Sequence, residues 1–387
     1  MSEVIGTRAD PLATVSAMMH ARCDAAHCRG MIRTGSRSFY LASQLLPGEL
    51  RQATYALYAF CREADDVIDG GDDPAAGLAL LQRRLTGIYG EAVPESPVDR
   101  ALARVVREYA MPREILAALL QGFAWDAQSR SFKKLAGVHC YSVRVAGSVG
   151  IAMALLMGVR DASLLARAAD LGVAMQLTNI ARDVGEDARN GRIYLPLRWL
   201  REEGIAPQAL LARPRYSPAL GRVVQHLLAA AEQLYRRADS GIAALPARCR
   251  PGIHAARLLY AEIGHELLRR GGDSVSQRTV VPTRRKLRLM GRALRAPACS
   301  ARDLRAPPLP QVRYLLRAVD ALPRGTCRGS AAAARPAREG DVSWVLDLFA
   351  ELQARDRRAE QPIAMPINPI AAFERATASA PSAVRNG

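Results

Sequence analysis

Four aspartates set the chemical question. Asp65 and Asp69 stand four apart in CREADDVIDG, residues 61–70, and Asp183 and Asp187 stand four apart in ARDVGEDARNGR, residues 181–192. Residues at that spacing on a helix share one face, one turn apart. Two like charges there destabilise an isolated helix by a few tenths of a kcal/mol, so something should offset the cost. A solvated acidic face would carry the same residues. Against it, YALYAF precedes the first pair, LGVAMQLTNI precedes the second, and each pair has an arginine beside it, Arg62 and Arg182.

A divalent cation gives the pairs a reason. Mg²⁺ prefers octahedral oxygen coordination and is commonly held by one or two carboxylates plus substrate phosphates. Two facing helices, each with an Asp pair, can hold Mg²⁺ between them. Such ions would bridge to a diphosphate, with Arg62 and Arg182 adding charge-assisted hydrogen bonds. The chemistry implied is departure of diphosphate, which leaves a carbocation. That species needs apolar walls and exclusion of water. Asn179 lies one turn before Asp183 on the same face, and Gln176 about two turns before it. Buried amides need partners, and a diphosphate, a metal-bound water or another helix would each serve.

The elements that must position these groups read as helices. RQATYALYAFCREADDVID has apolar residues at helical spacing and no Gly or Pro before Gly70. SLLARAADLGVAMQLTNIARDVGED predicts one helix ending near Asn190-Gly191. PALGRVVQHLLAAAEQLYRRADSGIAAL and IHAARLLYAEIGHELLRRGG predict two more, the last stopped by its Gly pair. YSVRVAGSVGIAMALLMG, residues 141–158, is helical in pattern but rich in Gly and Ala. Its small residues leave space for a ligand or allow close helix packing. The run 149–159 is about half the ~20 residues needed to span a bilayer, so it reads as a buried helix.

Composition agrees with an all-α protein. The 387 residues are 49% hydrophobic and only 5% aromatic, enough for one large core or two modest ones. The net charge of +17 is almost all arginine, since lysine occurs only at Lys133, Lys134 and Lys286. No RNA-recognition signature, zinc-finger spacing or aromatic-interleaved basic stripe accompanies it, so no nucleic-acid partner is expected. An anionic substrate or membrane surface fits the charge as well. No P-loop or GxGxxG follows a strand. Seven scattered cysteines and a start, MSEVIGTRADPLA, without a basic region and apolar core point to a reducing, cytoplasmic location.

Four blocks carry a family resemblance: GSRSFYLASQLLP at 35–47, YAFCREADDVID at 58–69, YSVRVAGSVG at 141–150 and LGVAMQLTNIARDVGEDARNGRIYLP at 171–196. The sequence resembles the squalene/phytoene synthase family, most closely its bacterial phytoene synthases, over roughly residues 30 to 290. The resemblance implies an isoprenoid-synthase fold, a helical bundle around a central cavity. It implies head-to-head (1′–1) condensation of two geranylgeranyl diphosphates, through prephytoene diphosphate, to phytoene in carotenoid biosynthesis. Asp65 and Asp69 match the first metal-binding motif, and Asp183 and Asp187 the second, with Asn179 preceding it. Tyr58, Arg62, Gln176 and Arg182 match residues lining the diphosphate and intermediate sites. Tyr141 matches a tyrosine assigned to proton handling. Ser36, Arg37, Ser38 and Phe39 match the N-terminal substrate segment, and Tyr260 is placed on the cavity wall. The expected metal is Mg²⁺, with Mn²⁺ as a substitute and no NADPH.

Two rivals stand beside this reading. One is a C30 relative making presqualene diphosphate, squalene or dehydrosqualene from farnesyl diphosphate. The other is a non-catalytic assembly factor with the same fold, against which the four aspartates argue. A lipid-soluble product and the basic surface lead to an expectation of peripheral attachment to the inner membrane face, beside other carotenoid enzymes. The expected organisation is a leader at 1–30, a catalytic body at 31–290 and an Arg/Pro/Ala-rich, largely flexible extension at 291–387. Within that extension, DVSWVLDLFAELQARD predicts a helix at 341–356, capped by Asp341.

Overall fold

The computed structural model describes residues 11–69, 73–295, 297 and 299–322. Among them there are helices and no strand. In chain order the helices are α1 (Pro11–Gly35), α2 (Arg37–Gln44), α3 (Gly48–Asp69), α4 (Pro74–Tyr89), α5 (Pro97–Glu108), α6 (Arg113–Ala127), α7 (Leu135–Ser142) and α8 (Ser148–Leu156). A π-helical stretch, Val143–Gly147, joins the last two. They are followed by α9 (Ala162–Arg182), α10 (Val184–Arg189), α11 (Leu197–Glu202), α12 (Pro207–Ala212), α13 (Pro218–Ala244), α14 (Arg250–Arg269), α15 (Thr283–Ala293), α16 (Ala301–Arg305) and α17 (Arg313–Asp320).

Local sequence accounts for many of the ends. Asp161 caps α9 by accepting from the Leu164 N–H at 2.9 Å. Ser217 caps α13 just ahead of Pro218, and Asp73 caps α4 just ahead of Pro74. Gly271 and Gly272, both in the left-handed region at φ +74° and +78°, follow the end of α14. Helix α9 is buried on nearly every side, from Leu165 to Ala181, and packs along α13, α8 and α14. The run 135–156 is long and apolar enough to cross a membrane. Here it packs on α6 and α9, with Val138, Val143, Ile151, Ala152 and Leu155 buried.

Three expectations are corrected. The leader does not stop at residue 30, because α1 runs unbroken to Gly35 and packs on α3 and α5. Cys28 and Ile32 are buried there, and buried Asp24 accepts from Arg100 and Arg104 at 2.7 and 2.8 Å. The chain beyond residue 290 does not open directly into a linker. Helix α17 packs on α6 and α9 with Leu315 and Val319 buried, and α16 packs on α13. The single helix expected to carry Asp183 and Asp187 is broken at Asp183, whose φ of −103° and ψ of 14° separate α9 from α10. The break lets Gly185 donate its N–H to the Ser274 carbonyl at 3.1 Å. A Cβ on Gly185 would stand 2.7 Å from the Val275 Cα, so this contact requires glycine. The helix expected at 341–356 lies outside the described residues.

Candidate active site

Helices α2, α3, α8, α9, α13 and α14 enclose a cavity of about 290 Å³. Its walls are almost wholly apolar. Gly150 and Gly172 line it and also allow close packing: a Cβ on Gly150 would meet the Ala168 carbonyl oxygen at 2.2 Å, and one on Gly172 that of Ala146 at 2.2 Å. The small residues of this region therefore make space and allow backbone contact at once.

One end of the cavity is polar. Gln176 and Asn179 reach it from α9, Tyr58 from α3, Phe39 from α2 and Tyr260 from α14. The Phe39 ring centroid is 5.0 Å from that of Tyr260 and 6.4 Å from that of Tyr58. Ser36 caps α2 by accepting from the Phe39 N–H and reaches the Tyr260 hydroxyl. Burial pushes the Tyr260 phenol up to about 12 and raises that of Tyr58. Arg37 opens α2, and Ser38 sits half-buried behind it without lining the cavity.

The acids stand beyond this rim. Asp65 lies near the C-terminal end of α3, and Asp69 is its last residue. Arg62, half-exposed, pairs with Asp66 at 2.6 Å and Asp65 at 3.7 Å. Arg182 donates its Nε–H to Asp183 at 2.7 Å and a second, very short bond from its Nη2. Each expected diphosphate-binding arginine is thus held by an acid of its own stretch. Asp187, one turn past Asp183, borders a small side pocket with Ile180, Arg192 and Tyr194. Burial together with the charges of Asp183 and Glu186 pushes the Asp187 carboxyl up to about 8.

Tyr141 does not line the cavity. It is buried in a wedge beside it, stacked on Tyr194 at 4.9 Å and tilted against Phe132 at 5.6 Å. Its hydroxyl donates to Asp126 at 3.1 Å, and the Tyr194 hydroxyl donates to the other oxygen of the same carboxylate at 2.6 Å. Sequence reasoning missed Asp126. Its signal was available: it is the one charged residue in the largely apolar stretch AALLQGFAWDA. Burial lifts its carboxyl to about 6, against the pull of the two phenols, and the negative charge of Asp65 adds to the rise. Asp126 in turn raises Asp187. Asp126 therefore stands within electrostatic reach of acids from both motifs. Arg278 was missed as well. It approaches Asp183 and Glu186, each at 3.7 Å, from the loop after α14, and nothing near it in sequence points there.

The donor set fits a hard divalent cation. The Asn179 Oδ1 is buried without a hydrogen-bond partner. Beside it lies surplus carboxylate charge, which burial would otherwise neutralise by protonation. Among the described residues no three acid, His or Cys side chains are already gathered around one point.

Residues 32–286 match the squalene/phytoene synthase family. The chain belongs to that family. It is 46% identical over 370 residues to a phytoene synthase of Cereibacter sphaeroides, covering 91% of this chain and all of that one. It is 48% identical over 308 residues to a phytoene synthase of Rhodobacter capsulatus, covering 78% of this chain and 91% of that one. Among solved structures it resembles a dehydrosqualene synthase with a TM-score of 0.66 and 34% identity, over 71% of this chain and 97% of that one. A squalene synthase of Alicyclobacillus acidocaldarius follows at 0.59 and 26%, over 65% and 96%. The expected helical isoprenoid-synthase fold is the one observed. The family uses prenyl diphosphates and generally depends on a divalent metal.

Proposed function

We propose that the protein is a phytoene synthase, condensing two geranylgeranyl diphosphates head-to-head through prephytoene diphosphate to phytoene in carotenoid biosynthesis. The observation that carries this reading is a largely apolar cavity whose end at Gln176 and Asn179 leads to two aspartate motifs. The phytoene synthase relatives, at 46% and 48% identity, favour the C20 donor. The C30 alternative draws on the structural likeness to a dehydrosqualene synthase at 34%.

Asp65, Asp69, Asp183, Asp187 and Asn179 would hold Mg²⁺, which would neutralise the diphosphate and stabilise it as a leaving group. The chain supplies the rest. Arg62, Arg182 and Arg278 bind diphosphate oxygens once ligand draws them from their acid partners. Phe39, Tyr58 and Tyr260 close the rim, so that ionisation occurs away from water. The first half-reaction breaks one C–O bond, closes the cyclopropane and releases one diphosphate and one proton. The second breaks the other C–O bond and releases the second diphosphate and a second proton as the central double bond forms. Burial raises the Tyr141 phenol well above its ordinary value, so it stays protonated and donates to Asp126. The Asp126 carboxylate, brought to about 6, is poised to accept a proton near neutral pH. The basic surface and the apolar product support a peripheral site on the cytoplasmic membrane face.

A product assay tests the reading. The protein is given C20 or C15 prenyl diphosphate, with Mg²⁺ or EDTA, with and without NADPH. Metal-dependent C40 hydrocarbon from the C20 donor without NADPH is expected. C30 product from the C15 donor alone would replace the substrate assignment. No product from folded protein would return the assembly-factor reading.

A further inference from the structure

The end of the cavity away from the acids is built differently. Along α9 the lining residues run from Asn179 back through Met175, Gly172 and Ala168 to Arg167 and Leu164. Asn179 and Arg167 are twelve residues apart, about 18 Å of helix, which is comparable with an extended C20 prenyl chain. An arginine is an unexpected lining for a hydrocarbon pocket, and the side chain of Arg167 is fully buried.

Its guanidinium is held by other groups at two of its three nitrogens, and Nη2 is buried without a hydrogen-bond partner. Arg167 Nε lies 2.9 Å from Asp170, and Nη1 donates to the backbone carbonyl of Asp303 in a very short bond. The same Asp170 oxygen lies 3.0 Å from Arg237 Nε. Arg237 donates from Nη2 to the Pro307 carbonyl at 2.8 Å, and Ser240 Oγ accepts from the Ser300 N–H at 3.0 Å. The hydrocarbon stem of Arg167 packs on Gly241, where a Cβ would come within 2.4 Å of the Arg167 Cβ. Residues 299–322 thus form a strap across the outside of α9 and α13. It supplies backbone oxygens to two arginines that meet on one buried carboxylate.

We propose that Arg167, clamped from behind by this strap, is the floor that limits the length of prenyl chain the cavity accepts. The strap keeps the guanidinium turned outward and leaves the stem as the surface met by the chain terminus. The inference rests on the prenyl diphosphate reading above. It adds a specificity role for a segment outside the family match, which ends at residue 286.

The test uses the full-length protein with C15, C20 and C25 prenyl diphosphates and Mg²⁺, comparing kcat/KM ratios. Arg167→Ala and the milder Arg167→Leu shorten the floor while Asp170 keeps Arg237 as its partner. Arg237→Met releases Pro307 of the strap while Asp170 keeps Arg167, and Arg237 itself does not line the cavity. The expected result is a rise of about 10-fold in the C25-to-C20 ratio for Arg167→Ala, in keeping with what apolar pockets discriminate. Arg167→Leu and Arg237→Met should move it the same way by less, with the C15-to-C20 ratio unchanged in all three. If Arg167→Ala does not fold, Arg167→Leu carries the test. An unchanged C25-to-C20 ratio in a folded Arg167 variant overturns the floor. A shift there with none in Arg237→Met overturns the strap's part. A wild-type protein that turns over none of the three donors defeats the functional reading instead.

Discussion

The two ends of the cavity both bury carboxylates, and they treat them in opposite ways. At the floor, Asp170 is fully buried but stands within 3.0 Å of two guanidiniums. Burial still lifts its carboxyl to about 6, yet the ion pairs hold it charged at neutral pH. At the mouth, burial lifts Asp187 to about 8, and the like charges of Asp183 and Glu186 outweigh the pull of Arg192 on it. A buried charge with its partners supplied is architecture. A buried carboxylate whose like-charged neighbours outweigh its partner is a site waiting for a cation. The difference separates what the protein does from what holds it together.

The largest expected effect tests the mouth. Asp183→Ala should lower kcat by about 10³-fold, the upper end of the scale on which lost charge stabilisation is felt. Circular dichroism and melting temperature should stay near those of the parent. A variant with near-parental turnover would put the chemistry elsewhere. The matching experiment at the floor is Asp170→Asn, which leaves buried Arg167 and part-exposed Arg237 without a counter-charge. It should cost about 3 kcal/mol or more of stability, read by urea unfolding, while turnover of C20 donor per folded molecule falls far less than in Asp183→Ala. If the stability loss and the activity loss change places, the comparison fails.

Tyr141→Phe comes next. It removes the hydroxyl donated to Asp126 but keeps the stack with Tyr194, so the fold should hold while kcat drops about 10²-fold, the usual size of a general acid–base contribution. A fall in melting temperature with kcat unchanged would make the Tyr141–Asp126 bond purely structural.

Much of the mouth was readable in the sequence because its residues are local to one another. Asp65 and Asp69 sit one turn apart on α3 as the spacing requires, and Asn179 precedes Asp183 by one turn. The break at Asp183 was not readable. It depends on Gly185 meeting residues 274 and 275, which are ninety positions away. Arg278 and Asp126 reach the site by the same kind of long-range packing, although the isolation of Asp126 in an apolar helix was a clue. The floor was opaque for that reason too. Arg167 and Asp170 are three apart and look like an ordinary helical ion pair, and only the fold brings Arg237 and the backbone of residue 303 onto them. The Pro- and Arg-rich stretch around residues 303–307 reads as a linker because it is anchored there through the backbone carbonyls of Asp303 and Pro307, which no side-chain pattern reports.

The pH dependence of stability distinguishes the two ends by window. Asp187 is raised from 3.8 to about 8, so the folded protein keeps a proton there that the unfolded chain releases. Without metal, stability should therefore fall as pH rises from about 4 to about 8. Asp170 and Asp126, both raised to about 6, contribute in the same direction, but their shares are largely complete just above that value. Above pH 6 the carboxylate share of the decline belongs to Asp187, and His265, raised by Glu232, adds a share common to parent and variant. Melting curves in EDTA should show a steeper decline in the parent than in Asp187→Asn, and added Mg²⁺ should flatten it in the parent alone. Parallel curves for the two proteins would mean that Asp187 is not the uncompensated charge.

The smallest expected effect concerns how the mouth is tied to the rest. Ser36 caps α2 through the Phe39 N–H and also reaches the Tyr260 hydroxyl. Ser36→Ala removes both contacts and should cost about 1 kcal/mol of stability. The cap alone would account for that loss. The second contact predicts something more, because Phe39 and Tyr260 close the rim over the polar end. KM for the C20 donor should rise a few-fold with kcat nearly unchanged, since rim closure affects binding before chemistry. The C25-to-C20 ratio should not move, because the floor lies at the far end of α9. Ser36→Thr, which can keep the cap, should restore stability and most of KM together. Restoring stability without KM would assign the rim to the Tyr260 contact alone, and a shift in the chain-length ratio would show that mouth and floor are not independent.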